Sequence, residues 1–168
     1  EGISEYTRRG TEHANPEHRP TKEQYDRYLW LVEHFRSLGW DNSKLHDASP
    51  FQVVDPGFNA ILIRSCFDLA ALAEELEMDD VAQRNYAWAR QSLESLEDLW
   101  SDQHRQYLCQ DRTTGQLIES SSVGGLLAVF APIRYTRAQA IAQRIEQITA
   151  ECRFSIPSHD PADSRFDA

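Results

Sequence analysis

Residues 51–62, FQVVDPGFNAIL, set an acid and a proline between a short apolar run and a longer one. Asp is a preferred residue at a helix N-cap because its carboxylate accepts a hydrogen bond from a first-turn amide, and a proline at the next position has no N–H to leave unpaired. Asp55 and Pro56 therefore predict the start of a helix. A carboxylate at such a position is also a candidate for catalysis or substrate binding, and this stretch leaves both interpretations open.

The segment that follows, residues 58–76, has apolar side chains on nearly every face of a helix. A helix that is apolar all round is predicted to be buried on all sides. Arg64 and Asp68 interrupt the apolar run, so the segment does not have the character of a membrane span. We therefore predict an innermost helix over these residues.

An amphipathic helix is predicted before this segment. Thr21 and Gln24 have the spacing of a capping box, in which each side chain binds the backbone amide of the other residue. Apolar residues then recur at intervals of three and four, and Gly39 stands where a C-terminal glycine ends a helix. The apolar positions are Tyr25, Tyr28, Leu29, Val32, Phe35 and Leu38. Residues 40–50 are predicted to form a loop.

A one-faced helix and a short β-hairpin are predicted after the innermost helix. Apolar residues of the segment 79–100 lie mostly on one helical face, and Asp79 or Asp80 can cap its start. Residues 106–118 contain an apolar run, a turn with glycine and a second apolar run, which is the pattern of a hairpin. The segment 79–100 is therefore interpreted as an outer helix.

The last part of the chain predicts two more helices. Ser121 or Ser122 opens the first of them, which runs through apolar residues to Pro132. Thr136 and Gln139 form a second capping box, which predicts the start of the other.

The order of these elements indicates an all-α fold, because strands and helices do not alternate along the chain. Helices that are apolar all round alternate with one-faced helices, which suggests helical hairpins in two concentric layers, as in part of a toroid. We predict an irregular segment over residues 1–20, helical hairpins with one short β-hairpin over residues 21–154, and an irregular tail over residues 155–168.

Composition and charge narrow the possible partners. The 168 residues include 27 acids and 17 bases, which gives a formal net charge of −10. Nucleic-acid surfaces need clustered Lys and Arg, so we expect no nucleic-acid partner. No apolar run approaches the roughly 20 residues that cross a bilayer, so we expect no membrane association either. A neutral or small carbohydrate ligand fits this composition better.

The cysteines and histidines predict neither disulfides nor a metal site. The three cysteines, Cys66, Cys109 and Cys152, are odd in number and far apart, which favours a reducing, cytoplasmic location. The six histidines never fall into a metal-binding spacing with one another or with cysteine. We expect no metal and no other cofactor.

Several segments of the sequence resemble one enzyme family. These are RPTKEQYDRYLWLV at residues 19–32, SPFQVVDPGFNAILIRSCFDLAALAEEL at residues 49–76, and LWSDQHRQYLCQDRTTGQLI at residues 99–118. In this order and spacing they resemble the six-hairpin (α/α)6-barrel glycoside hydrolases, in particular family 63 and its mannosylglycerate and glucosylglycerate hydrolase-like group. The resemblance runs from about Arg19 to the end of the chain.

The resemblance implies a segment of an inverting glycosidase that acts on an α-linked glucosyl or mannosyl small molecule. Such enzymes use two carboxyl groups about 6.5 to 9.5 Å apart. The family's general acid lies in an Asp-Asn-Ser-Pro word and its general base in a later word, and both are expected outside this chain. Residues 41–43 echo the first word, but Lys44 follows them in place of proline, so Asp41 is not assigned as the acid. No catalytic residue is predicted here, and the chain alone is expected to be inactive.

Substrate-binding residues are carried over from the resemblance and from the helix start. Arg19 and Tyr25 match family positions that contact the carboxylate or sugar of the ligand, and an Arg guanidinium suits a carboxylate. In the alternative interpretation, Arg19 is a solvated loop residue and Tyr25 a core aromatic. Asp55 and Asn59 are candidates because a helix start in such barrels faces the rim of the active site. For Asp55 the N-cap role is favoured.

The tryptophans and the apolar helices raise two further expectations. Trp40 follows Gly39 in the predicted loop and is expected to be the least buried tryptophan, whereas Trp88 and Trp100 are expected to pack. One flank of the apolar helices needs cover from the remainder of the barrel, from self-association or from another chain. A non-catalytic all-α interaction module, in which those surfaces bind a partner, is the alternative function.

Overall fold

The computed structural model describes residues 3, 5–8, 15, 19–153 and 155–162, which form two compact units. The first unit extends to Phe51 and the second begins at Gln52. None of the helices in the described ranges is both long and apolar enough to cross a membrane.

The first unit contains the predicted amphipathic helix, α1, at Lys22–Ser37. The Thr21 hydroxyl accepts a hydrogen bond from the Gln24 amide at 3.2 Å, and the Gln24 side chain accepts one from the Thr21 amide at 2.8 Å. This reciprocal pair confirms the predicted capping box. Gly39 has a φ of +68°, the left-handed conformation that glycine adopts after a helix end.

The segment after α1 differs from the prediction of a plain loop. A short helix, α2, occupies Asn42–Ala48, and Asp41 is its N-cap. The Asp41 carboxylate accepts hydrogen bonds from the Ser43 amide at 3.0 Å and from the Ser43 hydroxyl at 2.7 Å. Seven residues present too few apolar positions for a periodic pattern, so the cap was the only signal for this helix.

The second unit begins with strand β1 at Val53–Val54 and helix α3 at Pro56–Glu75. The Asp55 carboxylate accepts a hydrogen bond from the Phe58 amide at 2.6 Å, and Pro56 occupies the first turn. The predicted helix start is therefore confirmed.

Helix α3 packs against helix α4, at Asp79–Leu96, as an antiparallel hairpin. The residues of α3 that are buried lie on the face toward its neighbours and are Pro56, Gly57, Ala60, Ile63, Ala70 and Ala73. Large apolar residues on the rest of the helix are exposed in the described structure, and they are Phe58, Ile61, Leu62, Leu69 and Leu72. The expectation that α3 is buried on all sides is therefore wrong for these residues, because the neighbouring elements cover one face only.

The start and end of α4 also correct the prediction. Asp79 and Asp80 lie in the first turn and Met78 is the N-cap, without a capping side-chain bond. Acids in the first turn still favour the helix through its dipole. The helix ends at Leu96 and not at Trp100, because a 3-10 turn at Glu97–Leu99 leads into a strand.

Two short strand pairs form in this region, and the predicted hairpin is present as an antiparallel bridge between Gln110 and Leu117. Strand β2, Trp100–Ser101, pairs antiparallel with β3, Gln106–Tyr107. Strand β4, Gln110–Asp111, pairs antiparallel with β1. The predicted turn is present beyond β4, where the Asp111 amide donates to the Gln116 carbonyl at 2.9 Å.

The last helices confirm their predicted positions in outline. Helix α5 occupies Val123–Leu126 with Ser122 as its N-cap, and a 3-10 turn at Leu127–Phe130 extends it. Helix α6 occupies Tyr135–Glu151. Its N-cap is Arg134, without a capping side-chain bond, so the predicted capping box of Thr136 and Gln139 is wrong.

The core of the second unit joins α3, the end of α4, the strands and α6. Its buried members are Ala60, Ile63, Leu96, Leu99, Tyr107, Leu126, Ala128, Ala131, Ile141 and Ile148. The all-α class is confirmed, since helices supply most of these positions and the strands are two residues long.

The segment at residues 155–162 is irregular but held to the second unit. The Val123 amide donates to the Ser158 carbonyl at 2.9 Å, and the Asp160 amide donates to the Ser121 carbonyl at 3.0 Å. The buried Asp160 carboxylate also forms an ion pair with Arg144 of α6. These contacts fix the segment against α5 and α6.

Helix α5 approaches its neighbours at positions where a side chain has no room. A Cβ on Gly125 would lie 2.0 Å from the Tyr107 carbonyl oxygen, and one on Gly57 would lie 3.0 Å from the Gly124 carbonyl oxygen. These glycines permit backbone contact between α5, α3 and β3.

We predict that Gly125→Ala lowers the free energy of unfolding by about 3 kcal/mol, because the new methyl group overlaps the Tyr107 carbonyl and forces the backbones apart. Urea denaturation measures the change. Gln83→Ala, at an exposed position of α4, is the control and is expected to change the value by less than about 0.5 kcal/mol. Equal stability of both variants would contradict the close approach of α5.

Candidate substrate-binding site

Arg19 and Tyr25 lie at the start of α1 in the first unit. Arg19 is exposed, and within the described ranges its guanidinium forms no hydrogen bond or ion pair. The Tyr25 amide donates to the Thr21 carbonyl at 3.0 Å, so the capped first turn holds Tyr25 at a fixed place after Arg19. This arrangement offers a cation and a phenol on one short segment.

Residues before the helix contact the Tyr25 ring. The Tyr6 ring stacks on it with centroids 5.5 Å apart and planes inclined by 29°. The Arg8 guanidinium carbon lies 4.9 Å from the centroid of the Tyr25 ring, and Arg8 Nη2 donates to the Pro20 carbonyl at 2.7 Å. Tyr25 is half-buried as a result, so it is neither a core aromatic nor a freely solvated one.

The hydroxyl of Tyr6 is bound to Asp26 of α1. Tyr6 donates this hydrogen bond, and Lys22 donates another to the second oxygen of the same carboxylate at 2.7 Å. The hydrogen bond to Asp26 raises the pKa of Tyr6 to about 12, and the bonds from Lys22 and then Tyr6 lower the pKa of Asp26. Tyr6 therefore remains a donor and Asp26 an acceptor at neutral pH.

A groove of about 440 Å3 runs along α1 on the side of Trp30. Trp30, Leu31 and Phe51 form apolar walls, while Glu23 and Arg27 form an ion pair at 2.5 Å at its edge. Because its charged side chains are already paired, the groove is an apolar surface with a neutralised rim.

The exposure of the tryptophans agrees only partly with the prediction. Trp40 has 55% of its surface exposed, the largest fraction of the tryptophans, as expected. Trp88 is 53% exposed, so the expectation that it packs is wrong for the described structure. Trp100 does pack, with its ring edge against Tyr107 at a centroid distance of 5.1 Å.

Asp55 is a junction between three segments of the second unit. Its Oδ1 accepts from the Phe58 amide, and its Oδ2 accepts from the Cys109 thiol at 3.5 Å. The same Oδ2 lies 3.0 Å from the position that a Cβ on Gly124 would take. Burial, together with the negative charge of Asp55, raises the pKa of the Cys109 thiol to about 11, so the thiol stays protonated and donates.

Asn59 lies one turn beyond Asp55 and faces a small polar cavity. Its Nδ2 donates to the Asp55 carbonyl at 2.8 Å, which fixes the amide group. The cavity measures about 210 Å3, and its other lining residues are Val54, Gln91, Ser92, Ser95, Leu96 and Leu99. The structure thus brings Asp55 and Asn59 together in the second unit, whereas Arg19 and Tyr25 share one short segment of the first unit.

The Asp41 carboxylate, which is not assigned as the acid, caps α2. Its bonds from Ser43, the side-chain bond first, lower the pKa of the Asp41 carboxyl. A general acid needs a raised pKa, so this environment is the opposite of the one required.

Two polar clusters of the second unit were not predicted from the sequence. His104 lies 3.0 Å from the Ser121 hydroxyl through Nδ1 and 2.5 Å from Glu119 through Nε2. Glu97 Oε2 forms ion pairs with Arg134 at 2.9 Å and with Arg137 at 2.7 Å. The residues in contact are 15 to 40 positions apart in sequence, so no local sequence pattern predicts these clusters.

The described side chains offer no cluster of metal ligands. Within the part that the structure describes, no group of three or more His, Cys, Asp or Glu side chains could hold a metal ion. The three cysteines are free thiols.

Comparison with known proteins identifies a family for the chain. A family model, the mannosylglycerate hydrolase MGH1-like glycoside hydrolase domain, matches residues 4–168. A mannosylglycerate hydrolase of Thermus thermophilus is 39% identical over 168 residues, which are 99% of this chain and 40% of that protein. The chain thus spans about 40% of the length of this relative.

Solved structures of a mannosylglycerate hydrolase from another strain of Thermus thermophilus have the same fold. This GH63 enzyme in complex with Tris and D-glycerate aligns with a TM-score of 0.92 and 39% identity, over 99% of this chain and 41% of that one. Its complex with glucose aligns with a TM-score of 0.88 over 99% and 40%. The helical hairpins described above therefore match part of an (α/α)6 fold. Because the family model covers nearly the whole sequence, the chain belongs to the mannosylglycerate hydrolase MGH1-like glycoside hydrolase family.

Proposed function

We propose that the protein containing this chain is an inverting glycoside hydrolase that cleaves mannose or glucose α-linked to glycerate. The observation that carries the proposal is the 39% identity to a mannosylglycerate hydrolase along 99% of the chain. The chain supplies a substrate-binding segment of that enzyme, and a small carbohydrate is its ligand. The location that we propose is cytoplasmic, in agreement with three free thiols.

The carboxylate of the glycerate is bound by Arg19. D-glycerate occupies a structure of the Thermus enzyme, and glucose occupies another. A guanidinium binds a carboxylate through two parallel hydrogen bonds, and the Arg19 side chain has its donors available within the described part of the chain. Tyr25, one turn into α1, binds the same ligand through its hydroxyl.

Asp55 and Asn59 bind sugar hydroxyls at the start of α3. A carboxylate has about four lone-pair positions, and the Phe58 amide and the Cys109 thiol occupy one on each oxygen of Asp55. The remaining positions can accept from hydroxyls. Asn59 adds an amide held in place by the Asp55 carbonyl beside a polar cavity.

The general acid and the general base lie outside residues 1–168. This follows from the resemblance, and the environments of the candidate acids support it. Asp41 and Asp26 accept hydrogen bonds that lower the pKa of each carboxyl, which is the opposite of the raised pKa that a general acid needs. This reaction requires no metal and no other cofactor.

The exposed apolar face of α3 is covered by the remainder of the barrel. Phe58 is 71% exposed and Leu72 is 56% exposed, which is unusual for a helix of this composition. Self-association would cover the same face. Binding to another chain would cover it too, and the chain would then be an interaction module. Activity of the full-length protein distinguishes these alternatives.

We expect the full-length protein to hydrolyse mannosylglycerate or glucosylglycerate, and Arg19→Ala to raise KM about 10- to 100-fold with little change in kcat. A charge-assisted hydrogen bond contributes about 1.5 to 3 kcal/mol, and its loss in both ground and transition state appears in KM. Arg36→Ala, which removes an exposed guanidinium from the last turn of α1, is the control. Trehalose tests for a substrate without a carboxylate, and proton NMR of the released sugar gives the anomeric outcome.

Failure of the full-length protein to hydrolyse any α-glycoside would refute the proposed function. An unchanged KM in Arg19→Ala, with activity intact, would refute only the carboxylate role of Arg19.

Substitutions of Asp55 separate its two roles. Asn is as good an N-cap as Asp, so we expect Asp55→Asn to change the free energy of unfolding by less than about 0.5 kcal/mol, whereas Asp55→Ala lowers it by about 1 to 2 kcal/mol. If the carboxylate binds sugar hydroxyls, Asp55→Asn raises KM about tenfold without loss of stability. Denaturation and steady-state kinetics on the same samples measure both. Unchanged kinetics in Asp55→Asn would leave the helix cap as its only role.

A further inference from the structure

Arg8 connects the two residues of the first unit to which substrate binding is assigned. Its guanidinium carbon lies 4.9 Å from the centroid of the Tyr25 ring, within the range of a cation–π contact. Its Nη2 donates to the carbonyl of Pro20, the residue that follows Arg19, at 2.7 Å. One side chain thus contacts both the aromatic ring and the backbone from which the Arg19 side chain projects.

The position of Arg8 is itself fixed by Tyr6. The Tyr6 ring stacks on Tyr25, and its hydroxyl donates to Asp26 on the next position of α1. The segment at residues 5–8 is therefore attached to the first turn of the helix at two points. Lys22 of the same helix holds the other oxygen of that carboxylate, and its Nζ lies 5.9 Å from the centroid of the Tyr6 ring, so the attachment depends on Tyr6.

We propose that Arg8 is a positioning residue that gives the site its preference for a substrate bearing a carboxylate, an inference that rests on the proposed function. Arg8 holds the Pro20 carbonyl and the Tyr25 ring in one arrangement, so the Arg19 guanidinium and the Tyr25 hydroxyl are aligned before the ligand binds. Its positive charge also lies 4.9 Å from the centroid of the Tyr25 ring, which favours an anionic ligand there over a neutral one.

The effect of this arrangement is specific to the charged part of the substrate. A glycoside without a carboxylate gains nothing from an aligned Arg19, and a nearby cation adds nothing to its binding energy. Loss of Arg8 therefore weakens one class of substrate and not the other. A general loss of structure would weaken both.

The test compares mannosylglycerate with a neutral substrate, 4-nitrophenyl α-D-mannopyranoside, in the full-length protein. Arg8→Ala is expected to raise KM for mannosylglycerate about tenfold, with kcat and the melting temperature close to wild type. The kcat/KM for the neutral substrate is expected to stay within about twofold. Arg8→Lys keeps the charge but not the planar guanidinium, so it is expected to restore part of the KM.

Matched variants separate the contribution of Arg8 from that of its support. Tyr6→Phe keeps the ring and loses the bond to Asp26, whereas Tyr6→Ala loses both and is expected to resemble Arg8→Ala. Arg36→Ala removes a guanidinium that pairs with Glu33 at the other end of α1, and both KM values are expected to stay at the wild-type level.

Equal losses on both substrates, or no change on either, would overturn the inference. If the wild-type protein hydrolyses neither substrate, the proposed function fails, and titration calorimetry with D-glycerate then decides the role of Arg8. Weaker D-glycerate binding in Arg8→Ala than in Arg36→Ala supports the inference; equal binding in the two variants, or none to the wild type, overturns it.

Discussion

The hydrogen bonds of the Asp55 carboxylate join the start of α3 to the strand region of the second unit. One oxygen caps α3 through the Phe58 amide, and the other accepts from the Cys109 thiol, which lies between β3 and β4. Helix α5 passes so close that a Cβ on Gly124 would lie 3.0 Å from an oxygen of the same carboxylate. The start of the longest helix, the strand region and α5 are therefore placed by one group. Removal of both oxygens, as in Asp55→Ala, therefore acts at three elements, whereas Asp55→Asn retains the cap of α3.

On helix α3, which Asp55 caps, the described structure buries the small apolar residues and leaves large ones exposed. Small residues of α3, such as Ala60, Ala70 and Ala73, face its neighbours and allow close packing. Large residues such as Phe58 and Leu72 face away and remain exposed. Small residues permit close backbone approach, whereas large ones supply most of the apolar area that burial removes from water. The helix therefore has most of its potential burial energy on the face that the described structure leaves open.

Local signals in the sequence predicted the elements that depend on neighbouring residues. The Thr21 capping box and the Asp55 helix start operate within three residues, and each was found where it was predicted. The positions of the other elements depend on contacts between residues that are distant in sequence. Trp100 fits the apolar face of α4 by spacing, yet it leaves the helix because pairing with β3 gives its indole a packed position. In the candidate site, Tyr6 and Arg8 carried no signal, because their contacts at the start of α1 span 12 to 20 positions of a segment without an apolar period.

Binding of an anionic substrate has to overcome the charge of the chain itself, which is −10. At physiological ionic strength, charges more than about 8 Å away are largely screened, so the long-range field neither helps nor prevents binding. Binding of an anionic substrate therefore depends on cations close to the ligand. Arg19 alone would have to be ordered by the ligand, at a cost of about 2 kcal/mol in side-chain entropy. A second guanidinium that orders the backbone beside it in advance lowers the cost of assembling the site, and it does so only for ligands that use Arg19. On the proposed assignment of the site, selectivity for a carboxylate therefore depends on how firmly Arg8 holds the Pro20 carbonyl and the Tyr25 ring.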